Sequence, residues 1–453
     1  MKGVPNRPAN LGRMSRLSTL QKMTLEELID ASSLSPPQWI VIGLCALVAM
    51  IDGFDTQSIG LAAPDIAAAW SVPVGQFGPV FSAGLFGGLL GATLFGAIAD
   101  RLGRKPALLI AVASFGLVTL ATPFCSSMPQ LVAVRVLTGL GLGGALPAAI
   151  SLTAEYAPRR LRATLVSLMF CGFPLGAVFG GLVAAKMLPA QGWTSIFYLG
   201  GAAPLVLLPV LALLLPESAR YLAHRKPELL ERLLKKWGWS DRWNGESGTV
   251  LDHAPGSVRE LFADGLGGRT ILLWATLFCS LLLTYLLINW VPILARRAGI
   301  GTQGAVLAVS TLNLGSIFGS LIIGRFSDRW GAMKMLGVAF LLGGLAVACL
   351  GLNPGSAAQM IGIAFVAGFF SIGAQICTVA LSPTLYDTAL RATGVGWAMA
   401  AGRTGAIVGP LIGGALLAGG LSPAALFLMV GAVSLLAAVT MGILSTIKPA
   451  TAV

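Results

Sequence analysis

The sequence predicts an all-α polytopic membrane protein with twelve spanning helices in two pseudo-symmetric six-helix bundles, and three observations carry that expectation. Of its 453 residues, 56% are hydrophobic and only 11% charged, against about 25% charged in an average soluble domain. Uncharged or nearly uncharged runs long enough to cross a bilayer, about 20 residues each, recur along the chain. Short motifs of the first half return in the second at an almost constant offset.

Taken in order, residues 1–38 are polar and carry Lys2, Arg7, Arg13, Arg16 and Lys22, with a short amphipathic helix expected around Leu25 to Leu34. The first apolar run starts only near Trp39, so no cleavable signal is expected. Six runs follow, at about 39–63, 76–99, 106–125, 130–154, 163–185 and 193–215. Residues 216–268 are a charged interlude rich in Trp, Arg, Glu and Pro, and six more runs come at about 270–294, 303–324, 333–352, 356–384, 392–418 and 423–446. The expected organisation is a cytoplasmic segment 1–38, a bundle over 39–215, a cytoplasmic central loop 216–268, a bundle over 269–446 and a cytoplasmic tail 447–453.

Lys and Arg set the orientation. With odd spans leaving the cytoplasm, only Lys186, Arg296 and Arg297 fall outside and Arg135 and Arg403 within the membrane, while every other Lys or Arg is inside. The net charge of +12 is explained by this placement, and no nucleic-acid partner is expected. The cysteines at 45, 125, 171, 279, 349 and 377 all fall in apolar runs without a Cys-x-x-Cys pair. Both histidines, His224 and His253, lie in the central loop, so ionisable chemistry at depth falls to Asp and Arg, and no metal or cofactor is expected beyond the proton.

Three matches relate the halves. Residues 96–106, GAIADRLGRKP, find a weaker echo in GRFSDRWGAMK at 324–334, with Asp100 matched to Asp328. Leu161-Arg-Ala-Thr164 returns as Leu390-Arg-Ala-Thr393, and Gly176-Ala-Val-Phe-Gly180 as Gly405-Ala-Ile-Val-Gly409. Such internal repeats are the mark of a two-bundle transporter with its site between the bundles near the midplane.

The first span holds Asp52-Gly-Phe-Asp55 in its middle, with no charge from Trp39 to Ile51 or from Thr56 to Pro64. Three residues apart on a helix, the two acids are rotated by roughly 60° and separated by about 4.5 Å, so they share one face. An intramembrane carboxylate costs on the order of 2.5 to 3.5 kcal/mol on insertion scales, and such residues are functional by default. Asp-Gly is also a turn signal, and a broken helix capped by the acids in an aqueous vestibule is the structural alternative.

Arg135 opens a glycine-rich fourth span, roughly 9 Å below the outer surface. It either snorkels there as an anchor or pairs with Asp55 or Asp52, the acids at comparable depth. A guanidinium nearby favours the ionised carboxylate, and its withdrawal lets the acid take a proton. Arg403, in the eleventh span, is too deep to snorkel easily, and no acid of the second bundle lies at its depth. The missing anion is then the substrate's, and planar bidentate pairing with a carboxylate suits Arg. Aromatics at these depths include Phe54, Tyr285, Trp290 and Trp397. Most aromatics in such a chain pack core or face lipid. Phe54, Trp397 and the pair Asn289-Trp290, which precedes Pro292, are the candidate substrate contacts, the latter pair as the wall of an entrance.

In the loop after the second span, Gly96 and Gly103 permit close approach and unusual backbone angles, while Asp100, Arg101 and Arg104 supply charges that cap and pair across the bundle interface. This loop resembles that between the second and third helices of the major facilitator superfamily. Asp328 and Arg329 form its second copy, which has Ala332 and Met333 in place of Arg104 and Lys105 and is expected to hold more weakly. The GPxxGG pattern of drug antiporters is absent from 172–181 and present at 409–414, which counts against drug export. Pro216-Glu-Ser-x-Arg220-Tyr-Leu222 also occurs in sugar porters and does not discriminate.

The doubled acids, the Arg135 glycine run, Asn289-Trp290-Val-Pro292 and Gly402-Arg403-x-Gly405-Ala406-x-x-Gly409-Pro410 together resemble the aromatic acid:proton symporter family, whose members import compounds such as 4-hydroxybenzoate and protocatechuate. The resemblance runs from about Trp39 through the twelfth span, with Asp387 after Tyr386 as a departure. It implies that Asp52, Asp55, Asp100 and Asp328 are needed for transport. The expected protein is a monomeric transporter of the bacterial inner membrane, embedded in lipid with both termini cytoplasmic, that imports a small aromatic carboxylate with protons. Import of another organic anion, proton-coupled export, and a non-transporting chemosensor are the alternatives. No nucleophile, base and oxyanion set points to an enzyme.

Overall fold

Inside lipid a segment must satisfy its backbone by its own hydrogen bonds, and the uncharged runs of this chain do so as helices. The computed structural model describes residues 23–31, 34–240, 243–244, 257–263, 265–352, 355–387 and 390–447. The basic residues before Met23, together with Arg242, His253 and Lys448, lie outside them. Among the described residues, twelve helices are long and apolar enough to cross a membrane. Spans 1 to 6 are Pro36–Trp70, Val74–Leu102, Arg104–Phe124, Met128–Tyr156, Arg162–Gln191 and Thr194–Leu214. Spans 7 to 12 are Gly267–Arg297, Thr302–Trp330, Ala332–Gly351, Ala357–Leu385, Thr393–Ala418 and Pro423–Thr446. The end of the molecule where span 1 begins carries Arg101, Arg104, Lys105, Arg159 and Arg325, and we call it the basic end.

Span 1 runs past its expected stop at 63. Pro64 lies inside the helix, five apolar residues follow Asp65, and the helix stops only at Ser71, whose φ of 53° is left-handed. The Asp52-Gly53 step is likewise helical, so the two acids sit on a continuous helix rather than at a break. Span 10 contains a π turn at Gly368–Ile372, a feature that propensity does not announce.

Packing repeats between the halves with the register of the sequence echoes. A Cβ on Gly176 of span 5 would lie 1.7 Å from the Met50 carbonyl oxygen of span 1. One on Gly405 of span 11 would lie 2.2 Å from the Phe278 oxygen of span 7. Gly87 and Gly91 of span 2 meet Val136 and Leu140 of span 4 in the same way, and Gly315 and Gly319 of span 8 meet Phe365 and Phe369 of span 10. Small residues therefore bring the same helix pairs into contact in both bundles. Gly176→Val is expected to lower the melting temperature of the detergent-solubilised protein sharply, since the carbonyl it meets cannot move aside. Gly43→Ala, with nothing within 4 Å, serves as the near-neutral control.

Two helices of the polar segments build onto the first bundle, while Leu261 packs on the second. Helix Leu25–Ala31 buries Leu25, Leu28 and Ile29 at the basic end, and Leu230 and Leu234 of helix Pro227–Lys236 join the same cluster. Glu26 pairs with both Arg159 and Arg220, and Asp30 with Arg159. The short amphipathic helix expected near Leu25 is thus a clamp on the span 4 to span 5 loop.

Candidate functional site

The two acids of span 1 have different surroundings. Asp55 is fully buried inside the first bundle, where its Oδ1 accepts from the Thr119 hydroxyl of span 3 at 2.8 Å and its Oδ2 from Arg135 Nη1 of span 4 at 3.4 Å. Arg135 therefore pairs with an acid at depth, only 2% exposed, rather than snorkelling. That contact is longer than the 2.7–2.9 Å typical of a tight charge-assisted bond, and Arg135 Nε has no hydrogen-bond partner among the described residues. The pair is a loose one, suited to parting when the carboxylate is neutralised.

Asp52 accepts from the Thr56 hydroxyl at 3.1 Å through Oδ1, while its buried Oδ2 has no partner among the described residues. It lies within electrostatic range of Arg403 in span 11, and both act on the Tyr285 hydroxyl of span 7. Arg403 is half-buried, and among the described residues no carboxylate lies within ion-pair distance of it. A cation, a phenol and a half-satisfied acid from both bundles thus share one region at mid-depth. Tyr285 was only one aromatic among several in the sequence; its proximity to the charges assigns it here.

The remaining substrate candidates are placed otherwise. Phe54 points into the first bundle, where its ring fills the space left by Gly180 and packs beside Gly200. Trp290 is 1% exposed and meets Phe81 edge-on across the bundle interface, at 5.4 Å, and Gly413 makes room for its indole. Asn289 is equally buried, donating to the Tyr285 carbonyl at 2.7 Å and packing on Gly60. The expected entrance wall is instead packed core of the end opposite the basic one. Trp397 stacks on Trp274 at 6.0 Å and is half exposed, on the basic side of Arg403.

The contacts that join the bundles cluster in the half away from the basic end. Gln57 of span 1 and Asn313 of span 8 exchange two hydrogen bonds of 3.0 Å. Ser82 of span 2 donates to the Ile407 carbonyl of span 11 at 2.6 Å, and Arg296 of span 7 pairs with Asp65 of span 1 at 3.5 Å. Gly75 and Gly78 pack on Gly414, and Gly181 on Ser310. The opposite end is closed.

The loop of Gly96, Asp100, Arg101, Gly103 and Arg104 is tied to its own bundle rather than across the interface. Gly103 has φ +106°, and a Cβ there would lie 2.3 Å from the Glu217 carboxylate. That carboxylate accepts from the Lys105 and Ser218 backbone amides. Arg104 reaches Asp100 at 3.7 Å and Glu155 of span 4 at 3.6 Å, and the Arg101 carbonyl accepts from Tyr221. Gly96 has nothing within 4 Å among the described residues and serves no close approach there. Cross-bundle pairing would need the basic ends to meet, and here the bundles meet at the other end. Asp328 and Arg329 are exposed and form no ion pair among the described residues. Glu217→Gln is expected to loosen this loop, read as faster proteolysis at the Arg101–Arg104 turn in membrane vesicles.

Comparison with known proteins bears on this arrangement. A family model described as Major Facilitator Superfamily matches residues 45–319 and 273–452. The chain is 39% identical to a gallate transporter of Pseudomonas putida, over 90% of this chain and 92% of that protein. It is 39% identical to the 4-hydroxybenzoate transporter PcaK of Pseudomonas aeruginosa, over 88% of this chain and 91% of that one. Among solved structures, a bacterial homologue of the human lysosomal transporter Spinster in an inward-facing, occupied conformation superposes with TM-score 0.70 at 18% identity, covering 91% of this chain and 98% of that one. A D-xylose-proton symporter gives 0.69 at 17%, with the same coverage.

Proposed function

The chain belongs to the major facilitator superfamily, a family of membrane transporters, and on that premise we propose that it imports a small aromatic carboxylate together with protons. The observation that carries this reading is Arg403, a half-buried guanidinium with no carboxylate partner among the described residues, held near Asp52 and Tyr285 between the bundles. A carboxylate supplies the anion it lacks, in bidentate geometry. The names of the relatives at 39% identity, which carry gallate and 4-hydroxybenzoate, agree with that chemistry.

The basic end faces the cytoplasm of a bacterium whose inner membrane holds the protein as a monomer, with both termini inside. Asp55 and Asp52 take protons from the outer side. Neutralising Asp55 frees Arg135, and the bundles rock about the site, closing outside through the Gln57–Asn313 and Asp65–Arg296 contacts and opening inside. Co-transport with protons offsets the inside-negative potential, which opposes an entering anion by about 2.3 kcal/mol per 100 mV. Asp100, Asp328 and their neighbours act at the inner gate.

The test is uptake of labelled 4-hydroxybenzoate into cells expressing the protein, with and without an uncoupler. Accumulation that the uncoupler abolishes supports the reading. Extrusion of preloaded substrate would favour an exporter. No uptake of any hydroxybenzoate, with the protein inserted, would send the substrate to other organic anions.

A further inference from the structure

We infer that the Gln57–Asn313 amide pair reads a ring hydroxyl of the carried compound while the outer end is open. This rests on the proposed function and names a feature of its substrate. Gln57 and Asn313 are 2% and 3% exposed and come from different bundles. Gln57 Nε2 donates to Asn313 Oδ1, and Asn313 Nδ2 donates back to Gln57 Oε1 and to the Val309 carbonyl. Buried amides in a wall of apolar helices need partners, and each of these finds its side-chain partner only while spans 1 and 8 are together. Alternating access separates them. Each amide then turns one donor and one acceptor toward the opening cavity, and a phenolic hydroxyl, which both donates and accepts, matches that pattern.

The spacing fits. Gly405 packs on the Phe278 carbonyl and Gly60 on Asn289, which sets the backbone of Arg403 on the basic side of Asp52, with its guanidinium within electrostatic range of that acid. The amide pair lies five residues further out along span 1, about 7.5 Å of helix rise, comparable to the span from carboxylate to para hydroxyl on a benzene ring. A hydroxybenzoate whose carboxylate meets the Arg403 guanidinium at the level of Asp52 thus reaches the amides with its hydroxyl. Closure of the outer end returns the amides to each other, the hydroxyl loses its partners, and affinity falls as the inner end opens. The same pair serves as clasp and as reader.

The experiment measures uptake kinetics for benzoate and its monohydroxy isomers with wild type, Gln57→Leu, Asn313→Leu and the exchange Gln57→Asn with Asn313→Gln, normalised to protein in the membrane. Wild type is expected to favour at least one hydroxylated isomer over benzoate. The leucine variants are expected to shift the ratio of KM values toward benzoate by about tenfold, the worth of a neutral hydrogen bond or two. The exchange variant, which keeps two amides, is expected to keep the preference. A KM ratio that stays constant while all rates change would mean a clasp alone and overturn the inference. Equal KM values in wild type would overturn it too, while leaving carboxylate uptake standing. A wild type that takes up none of these compounds overturns the functional reading itself, and this one with it.

Discussion

Replacing Arg403 with leucine is expected to abolish binding of the aromatic carboxylate, with Arg403→Lys retaining a weak remnant. Removing one member of a desolvated charge pair costs about 2–5 kcal/mol of binding, a loss of roughly 30-fold or more in affinity. The lysine keeps the charge but not the planar fork, and at a bidentate site that exchange is not conservative. Equilibrium binding of labelled 4-hydroxybenzoate to purified protein checks this without any need for transport. Unchanged binding by Arg403→Leu would move the carboxylate site elsewhere.

The second large effect concerns Asp55. Asp55→Asn fixes the side chain in a neutral state, leaves Arg135 without its counter-ion, and keeps the Thr119 contact. Proton-driven accumulation is expected to vanish, while exchange of external for internal substrate, which needs no net proton movement, persists at a measurable rate. Retained accumulation in Asp55→Asn would pass the coupling role to Asp52, whose Oδ2 has no partner among the described residues and whose neighbourhood includes Arg403.

The features legible in the sequence were those that cost most to bury. A charged side chain at depth stands out because lipid makes it expensive, so Asp52, Asp55, Arg135 and Arg403 were visible, and Asp55 was found on Arg135. The glycine echoes were visible too, and the structure gives them equivalent work: Gly176 on Met50 in one half, Gly405 on Phe278 in the other. Amides and phenols are cheaper to bury and leave little trace. Gln57 and Asn313 lie 256 residues apart, and only the closure of the end opposite the basic one brings them together. Tyr285 failed to stand out for the same reason. Trp290 misled in the opposite sense: an aromatic beside an amide and a proline suggested a lined entrance, but with the bundles closed there it is filling. The loop between spans 2 and 3 misled because Arg104 finds Glu155 of span 4 and the Lys105 backbone amide finds Glu217, both far away in the chain.

The central claim, that substrate and proton move inward together, is tested most directly in proteoliposomes holding a pH-sensitive dye and no imposed gradient. Adding 4-hydroxybenzoate outside, at a pH where it is almost wholly the anion, should acidify the lumen of vesicles with wild-type protein and leave those with Asp55→Asn unchanged. Substrate entering without acidification, or with alkalinisation of the lumen, would contradict symport through the acids of span 1.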